Sequence, residues 1–401
     1  MKLFHLTSEL HDQTAVNTVS GEFIKGIESA IGSKFELCND YDKYSTDDSV
    51  IYVRTGGTEG IFRKIFEKDG ELTIPGEKPV RLLTSGKSNS LAASMEILSY
   101  LNMNGFSGKI LHGNAECIAE GLRAMDRTDS GSIVRPFDHQ GILDGKRYAV
   151  IGKPSDWLIS SNVDYAKARQ VLGCEIIDIP MDEMVSLIKV GGTAAPKELK
   201  ALNSPKYGRP ITEEHFNTAV NVYGAAKKLV EKYELDGLTI RCFDLLTSVG
   251  NTGCLALALL NSQGYVATCE GDVPAMLSMA VGRELYGQSG FQVNLSRVNG
   301  DKLLFAHCTV PLNMTESYCY DTHFESGIGV GIHGELPLIR AAHILKLSAD
   351  LENYVHEPVS IVENRYEDNL CRTQIVVEQH SPLSDYMLTR PFGNHHVIFT
   401  R

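Results

Sequence analysis

Paired cysteine motifs and long apolar runs are both missing from this 401-residue chain. Its nine cysteines are scattered without a C-x-x-C pair, which predicts reduced thiols and argues against a disulfide framework or a zinc ribbon. No apolar run approaches the roughly 18 residues that a membrane span needs. The apolar run within Met1 to Thr7 is too short for a signal peptide. We therefore expect a cytoplasmic protein without a membrane partner.

Positive charge is also scarce, because 38 Lys and Arg residues stand against 50 Asp and Glu residues, a net charge of -12. Nucleic-acid binding needs a concentrated basic face, and none is visible, so a nucleic-acid partner is not expected. An anionic substrate would need a local basic pocket. The segment Ile151 to Asp156 lacks the three-glycine dinucleotide pattern, which disfavours a Rossmann cofactor.

One short motif resembles part of a phosphate-binding loop. Ser85-Gly86-Lys87-Ser88 has the tail of a Walker A motif, but Arg81 stands where its first glycine is required. A strand-to-helix turn is the commoner interpretation of such a segment. The backbone amides of a turn of this kind can nevertheless hold an anion.

The predicted pattern of strands and helices changes along the chain. Strand-like segments such as Val50 to Val53 and Val80 to Leu83 alternate with helical patterns, which predicts parallel sheets covered by helices. After about Gly264 the pattern becomes one of short strands, with a hairpin signal at Asn299-Gly300. The predicted fold class is α/β, with two doubly wound α/β domains at 1–144 and 145–263 and a mainly antiparallel, barrel-like β domain at 264–401.

Acidic residues follow two of the predicted strands. If the apolar stretch Cys254 to Leu260 is the helix between these strands, Asp244 and Glu270 lie at one edge of a sheet, where open α/β folds bind ligands. On an extended strand, Glu270 and Asp272 would share a face. Carboxylate oxygens suit Mg²⁺ or Mn²⁺. A solvated acidic turn explains the same residues equally well, and this alternative stays open.

Histidines offer a second set of candidates. His395 and His396 are adjacent, so on a strand only one of them can face a given metal, and the other could orient a ligand or a substrate. A polar chain end explains this pair equally well. His307 lies on an apolar strand face and is more often a core residue than a ligand. His323 and Glu325 would share a strand face and are secondary candidates for a polar pocket.

The chain resembles the L-fucose isomerase and L-arabinose isomerase superfamily in five segments that occur in the family's order: Phe243-Asp244, Cys254 to Leu260, Gly264 to Asp272, His307-Cys308 and Gly393 to His396. The segment Lys153 to Trp157 is similar to the central domain of fucose-isomerase-like proteins. The resemblance implies Mn²⁺-dependent interconversion of an aldose and its ketose, acting on an L-fucose-like, L-arabinose-like, deoxy- or sulfo-sugar. It also implies a homo-oligomer, a trimer or a hexamer.

The resemblance further implies roles for individual residues. The implied metal ligands are Asp244, Glu270, His396 and His307, and the implied sugar contacts are His395, Asp272 and Trp157. Asp244 and Glu270 would also form the acid/base pair that moves a proton between C1 and C2, while the metal stabilises the enediolate. The alternative is a non-catalytic sugar-binding protein on the same scaffold, motivated by an aspartate at position 244, where the arabinose branch has glutamate.

Overall fold

The structure is a computed structural model that describes residues 1–9, 13–124, 133–200 and 210–400. Within these ranges the protein is a mixed α/β molecule with two parallel sheets and a closed antiparallel barrel. No helix in the described ranges is both long enough and apolar enough to cross a membrane.

The first sheet is parallel and has the strand order β2-β1-β3-β6-β7. Leu3 and Phe4 are adjacent on one strand of this sheet, and their side chains pack in two different hydrophobic clusters. Helices therefore cover both faces of the sheet. The elements are β1 (Lys2–Leu6), α1 (Gln13–Ile31), β2 (Glu36–Leu37), β3 (Ser49–Val53), α2 (Glu59–Phe66), β4 (Glu67–Lys68), β5 (Glu71–Leu72), β6 (Val80–Thr84), α3 (Ser90–Met103), β7 (Gly108–Leu111) and α4 (Ala115–Arg123).

The second sheet is also parallel, with the order β10-β9-β11-β12. Because β11 pairs with β12 in parallel, the residues that follow these strands meet at one sheet edge, as predicted for Asp244 and Glu270. The elements are β8 (Arg135–Pro136), β9 (Arg147–Ile151), α5 (Tyr165–Leu172), β10 (Glu175–Ile179), α6 (Met181–Val190), α7 (Glu213–Tyr233), β11 (Gly237–Ile240), α8 (Asp244–Val249), α9 (Cys254–Ser262), β12 (Val266–Cys269) and α10 (Val273–Tyr286).

The C-terminal part forms a closed six-stranded antiparallel barrel in the order β17-β20-β13-β14-β19-β18, which closes through pairing of β17 with β18. The hairpin predicted at Asn299-Gly300 joins β13 to β14. The remaining elements are β13 (Phe291–Asn299), β14 (Lys302–His307), β15 (Ser317–Asp321), β16 (Gly331–Glu335), β17 (Ile339–Leu347), β18 (Asn353–Arg365), β19 (Thr373–Gln379), α11 (Leu383–Thr389) and β20 (His395–Phe399).

Helix α10 connects the second sheet to the barrel. It contacts β12 of the sheet and β17 and β20 of the barrel. Its buried face is apolar, with Met276, Leu277 and Val281 fully inaccessible to solvent. The turn that precedes α10 and the start of β20 are therefore held in a fixed relation by one packed helix.

One expectation about cysteine chemistry was wrong. Cys242 and Cys269, which follow β11 and end β12, form a disulfide with their Cα atoms 6.2 Å apart. The pair is 27 residues apart in sequence, and only the parallel pairing of the two strands brings it together. The other seven cysteines, all among the described residues, form no disulfide, as expected.

Candidate functional site

The acidic residues after β12 lie on a turn and not on a strand, so the predicted strand geometry was wrong here. Glu270 and Gly271 both have a left-handed backbone, each with φ of 68°, and Asp272 caps α10 by accepting a 2.7 Å hydrogen bond from the amide of Ala275. A Cβ atom on Gly271 would lie 2.5 Å from the carbonyl oxygen of Lys153. The glycine therefore permits both the turn and the close approach of the neighbouring loop.

The turn places Glu270 beside two histidines of the barrel. One ligand atom each from Glu270, His307 and His395 lies within 4.8 Å of the other two. The carboxylate Oε1 of Glu270 is 3.5 Å from Nε2 of His395, and the rings of His307 and His395 meet edge to face with centroids 5.5 Å apart. The strand ends of the second sheet and the barrel thus share one cluster of potential metal ligands.

Neighbouring polar groups fix the orientation of both rings. Nδ1 of His395 donates to Oδ2 of Asp272 at 2.8 Å, and Nδ1 of His307 is 2.9 Å from the hydroxyl of Thr309. Nε2 of His395 is buried and makes no hydrogen bond within the described part of the chain. A histidine that donates one ring nitrogen to a carboxylate and leaves the other free is the usual geometry of a metal-ligating imidazole.

The electrostatics of the cluster separate the two histidines. Burial disfavours the charged ring of His395, but Glu270 and Asp272 outweigh burial and raise its pKa to about 9. Burial, reinforced by His395, lowers the pKa of His307 to about 4. Burial would raise the pKa of Glu270, yet His395 and Trp157 keep it below its ordinary value. Glu270 is therefore ionised and His307 neutral, which are the forms that bind a metal ion. His395 is protonated at neutral pH and would release its Nε2 proton on ligating a metal ion.

The other terminal histidine faces away from this cluster. His395 pairs with Asn294 across the β13–β20 ladder, whereas His396 pairs with Val293. Nδ1 of His396 donates to the carbonyl of Asn394 at 3.2 Å, and its Nε2 lies 3.3 Å from the hydroxyl of Tyr386. Its buried surroundings lower its pKa to about 3. The geometry favours His395 over His396 as a metal ligand.

Asp244 is held outside the cluster as well. It begins α8, and its Oδ1 accepts a 3.0 Å bond from Nε of Arg241, which also pairs with Asp156 at 2.7 Å. The side chain of Asp244 is 41% exposed, against 13% for Glu270. Among the described residues, the cluster within ligand distance contains Glu270, His307 and His395 but not Asp244.

A pocket opens directly beside Glu270. Trp157 donates from its indole nitrogen to Oε2 of Glu270 at 2.6 Å and packs edge to face on Phe243 at 4.9 Å between centroids. The wall carries aromatic rings, three carboxyl groups and three amides, contributed by Trp157, Phe243, Glu59, Glu270, Glu325, Asn89, Asn294 and Asn394. Trp157, predicted as a sugar contact, therefore lies where a bound molecule would touch it.

Glu325 reaches this pocket from a turn, which corrects the expectation that it shares a strand face with His323. The strand β15 ends at Asp321, and the amide of Gly327 closes the turn on the carbonyl of His323 at 2.9 Å. The Oε1 atom of Glu325 accepts a 2.8 Å bond from Nδ2 of Asn89. Burial, together with the nearby charge of Glu270, raises the pKa of Glu325.

Asn89 meets Glu325 from an unusual backbone conformation. Ser88 and Asn89 both have left-handed backbones, with φ of 53° and 58°. The amide of Gly56 donates to the carbonyl of Ser88 at 2.7 Å, and a Cβ atom on Gly56 would lie only 3.0 Å from Cβ of Asn89. Strained residues of this kind are costly, at about 1–3 kcal/mol each, and cluster at functional sites.

Two polar atoms of the pocket wall make no hydrogen bond with described residues. Oε2 of Glu59 and Oδ1 of Asn294 are both buried and unpartnered. Burial raises the pKa of Glu59 well above its ordinary value. Unsatisfied buried polar atoms cost free energy unless a bound molecule or water completes them. The pocket is therefore suited to a ligand rich in hydroxyl groups.

Glu96 of helix α3 supports the start of β20. Its carboxylate is fully buried and accepts bonds from the amide of Ser160 at 2.7 Å and from the amide of Asn394 at 3.2 Å. Asn394 directly precedes His395. The Glu96 carboxylate thus connects helix α3, the loop after Trp157 and the start of β20.

Only some of the pocket residues that were not predicted lie at positions that sequence patterns indicate. Glu59 and Asn89 follow β3 and β6, and the carboxyl ends of parallel strands are where such folds bind ligands. Asn294, Asn394 and Glu325 belong to the barrel and its loops. No local pattern marks them, because their position depends on how the barrel packs against the sheets.

Comparison with known proteins gives a partial match. No family model matches the chain. Sulfoquinovose isomerases of Priestia aryabhattai and Priestia megaterium are each 33% identical to it over 139 residues, which cover 33% of this chain and 28% of each relative. The sulfoquinovose isomerase of a Clostridium species, strain MSTE9, is 30% identical over 118 residues, which cover 28% of this chain and 25% of that protein. The chain thus matches less than a third of the length of these relatives.

Proposed function

We propose that this protein is a divalent-metal-dependent isomerase that interconverts an aldose and its ketose. The observation that carries the proposal is the convergence of Glu270, His307 and His395, because Glu270 also lines a pocket whose wall carries carboxyl, amide and aromatic groups. The partial similarity to proteins named sulfoquinovose isomerase supports the same reaction class. Homo-oligomeric assembly and a cytoplasmic location remain predictions.

The ligand set fits a metal ion on its own geometry. Glu270 supplies a carboxylate and His307 a neutral ring. His395 would supply Nε2 after releasing the proton that its raised pKa implies, while its Nδ1 donates to Asp272. Carboxylate oxygen suits Mn²⁺ and imidazole nitrogen suits Fe²⁺, Ni²⁺ or Zn²⁺, so the mixed set fits Mn²⁺ or another divalent transition-metal ion. When bound, such an ion would polarise the sugar carbonyl and stabilise the negative charge that develops on the oxygens of C1 and C2.

Isomerisation also needs a group that moves a proton between two carbons. The predicted partner of Glu270, Asp244, is engaged with Arg241, whereas Glu325 faces the pocket. We assign the transfer to the Glu325 carboxylate: it takes the proton from C2 of the aldose and returns it to C1, while the O2 hydroxyl proton passes to O1. The raised pKa of Glu325 suits a base that must also act as an acid.

The remaining wall residues fit sugar recognition. Asn89 orients Glu325, and the unpartnered atoms of Glu59 and Asn294 offer hydrogen bonds to hydroxyl groups. Burial raises the pKa of Glu59 and so favours its protonated form, which can donate a hydrogen bond. The ring edges of Trp157 and Phe243 cover the apolar C–H surface of a sugar.

The test is to load the purified protein with Mn²⁺ and to follow ketose formation from a panel of neutral, sulfonated and phosphorylated aldoses. Reaction in D₂O should place deuterium at C1 of the ketose if solvent exchanges with the transferred proton. Glu325→Gln should lose turnover and exchange but keep metal binding. Failure of every sugar to react, or full activity in Glu270→Gln, would refute the isomerase proposal.

A further inference from the structure

A second cavity lies beside helix α1, between this helix and the strands β1 and β2 of the first sheet. We call it the α1 cavity. It shares no lining residue with the reaction pocket beside Glu270. Its volume is about 320 Å³, and small-molecule sites in proteins span about 300–1,000 Å³. The α1 cavity is therefore large enough for a ligand of its own.

One end of the α1 cavity lies at the usual ligand position of this sheet topology. In the order β2-β1-β3-β6-β7, the chain crosses from β1 to β2 on one side and continues from β3 to β6 and β7 on the other. Doubly wound folds bind ligands at such a switch point, beyond the carboxyl ends of the strands. Arg54 directly follows β3, His5 is the penultimate residue of β1, and both line the cavity.

Strand alternation turns both residues toward α1. His5 shares a strand face with Leu3, which packs in the hydrophobic cluster that also contains Ile27 of α1. His5 pairs with Tyr52 across the β1–β3 ladder, and Tyr52 belongs to the same cluster. Because Arg54 stands two residues after Tyr52, it continues that face. A cation and an imidazole therefore meet at the helix side of the sheet.

Arg54 is a half-buried cation with neutral partners. Its Nε, Nη1 and Nη2 atoms each donate one hydrogen bond, to the side-chain oxygens of Ser20, Thr7 and Asn17. Within the described part of the chain, no carboxylate forms an ion pair with Arg54. A guanidinium has five N–H donors, so these three bonds fix its plane and leave two donors. Its charge and planar shape favour a carboxylate as the acceptor.

His5 provides an unsatisfied polar atom at the same end of the cavity. Its Nε2 atom is buried and makes no hydrogen bond with any described residue. Burial, reinforced by the charge of Arg54, lowers the pKa of His5 to about 4, so the ring is neutral at neutral pH. A buried polar atom without a partner costs free energy unless a bound molecule or water completes it.

The middle of the α1 cavity is apolar. Ile24 of α1 and Phe35 pack only partly buried against the cluster that contains Leu3. Leu37 of the edge strand β2 is 57% exposed and pairs in register with Leu3, so their side chains share one face of the sheet. An apolar group in this part of the cavity would remove these side chains from water, which is favourable.

The acidic residue of the cavity wall lies far from the cationic end. Glu28 follows Ser20, a partner of Arg54, by eight residues on the same helix, which corresponds to about 12 Å along the axis. Its Oε1 atom accepts a 2.9 Å hydrogen bond from the amide of Phe35. The cavity thus has a cationic end, an apolar middle and a separate acidic end.

We propose that the α1 cavity is a second ligand site that binds a monocarboxylate with an apolar tail. The carboxylate accepts hydrogen bonds at the Arg54 and His5 end, and the tail lies along Ile24, Phe35 and Leu37. The site does not depend on the proposed isomerase reaction. Its wall suits an aromatic acid or a short fatty acid, since both combine one carboxylate with an apolar body.

Isothermal titration calorimetry of the full chain with 3-phenylpropionate and with octanoate tests both kinds of tail. Propionate lacks the tail, and the amides of the two acids lack the charge. Wild type should bind at least one of the two acids, and the tighter one identifies the tail. Propionate and the matching amide should bind at least about 10-fold more weakly, because each lacks one half of the interaction.

Two variants test the two parts of the site. Arg54→Met should raise Kd by about 10- to 100-fold, the value of one or two charge-assisted hydrogen bonds, and Arg54→Lys should recover part of the loss. Gly21→Leu should obstruct the cavity, because Gly21 lines it and a Cβ atom there would meet no atom within 4 Å. Replacing a glycine inside a helix also favours folding.

Gly26→Leu is the matched control. Gly26 is another exposed glycine of α1, outside the cavity wall, where a Cβ atom would lie 3.9 Å from Cβ of Ala115. It should leave Kd unchanged, and thermal unfolding confirms that each variant is folded. Lack of saturable binding of both acids, equal binding of an acid and its amide, or equal Kd in Gly21→Leu and Gly26→Leu would overturn the site.

Discussion

The ends of the neighbouring strands β11 and β12 carry similar chemistry and reach opposite outcomes. Asp244 lies four residues after β11, is 41% exposed and is engaged with Arg241. Glu270 lies one residue after β12, is 13% exposed and faces two histidines and an indole. The contrast shows that two carboxylates at the same edge of a sheet differ in what they can bind, because the turn directs Glu270 inward while Arg241 engages Asp244.

The sharpest test of this contrast replaces each acid by its amide. Glu270→Gln removes a charged ligand and the partner of His395, so we expect kcat/KM to fall by on the order of 10³-fold, equivalent to several kcal/mol of lost electrostatic stabilisation. Steady-state kinetics and Mn²⁺ titration check this. Retained metal affinity in Glu270→Gln would show that the cluster is not the metal site.

The adjacent histidines of β20 offer a second pair for the same comparison. His395→Asn should abolish tight Mn²⁺ binding, because it removes the ring that Asp272 orients toward Glu270. His396→Asn should keep metal affinity within a few-fold but lower the free energy of unfolding by about 1–3 kcal/mol, because buried polar partners lose their hydrogen bonds. Calorimetric metal titration and thermal unfolding separate the two effects. The reverse pattern would assign the metal to His396.

The positioning carboxylate should matter less than the ligand that it orients. Asp272→Asn keeps the shape of the side chain but weakens its hold on His395, so we expect metal affinity to fall by about 10- to 100-fold. The same residue caps α10, and an asparagine still serves as an N-cap, which limits the loss of stability. An unchanged dissociation constant for Mn²⁺ would mean that Asp272 has only a structural role.

The smallest effect is expected at the exposed strand end. Asp244→Asn weakens a half-exposed ion pair with Arg241, and such pairs contribute about 0–1 kcal/mol to stability. We expect kcat/KM to change by less than about threefold. A loss as large as that of Glu270→Gln would show that Asp244 joins the catalytic machinery when substrate binds.

The sequence predicted the scaffold of this site better than its details. Strand and helix periodicity identified the parallel sheets, the hairpin at Asn299-Gly300 and the shared sheet edge of Asp244 and Glu270. Strand alternation showed that His395 and His396 face opposite sides. The pairing register of β20 with β13 decides which one faces the pocket, and that register is a long-range property of the barrel.

Long-range packing also explains the residues that sequence patterns missed. Glu325 is 236 residues from Asn89, and only the contact between the barrel and the first sheet brings them together. The Cys242–Cys269 disulfide likewise depends on the pairing of two strands. Tertiary contacts of this kind leave no periodic signature in the chain.

The most direct test of the account is crystallography of the Mn²⁺-loaded protein with an open-chain polyol analogue, using anomalous scattering to locate the metal. We expect one strong peak within coordination distance of Glu270, His307 and His395, with the polyol beside Trp157 and Glu325. A peak at Asp244 or His396, or no peak at the cluster, would contradict it.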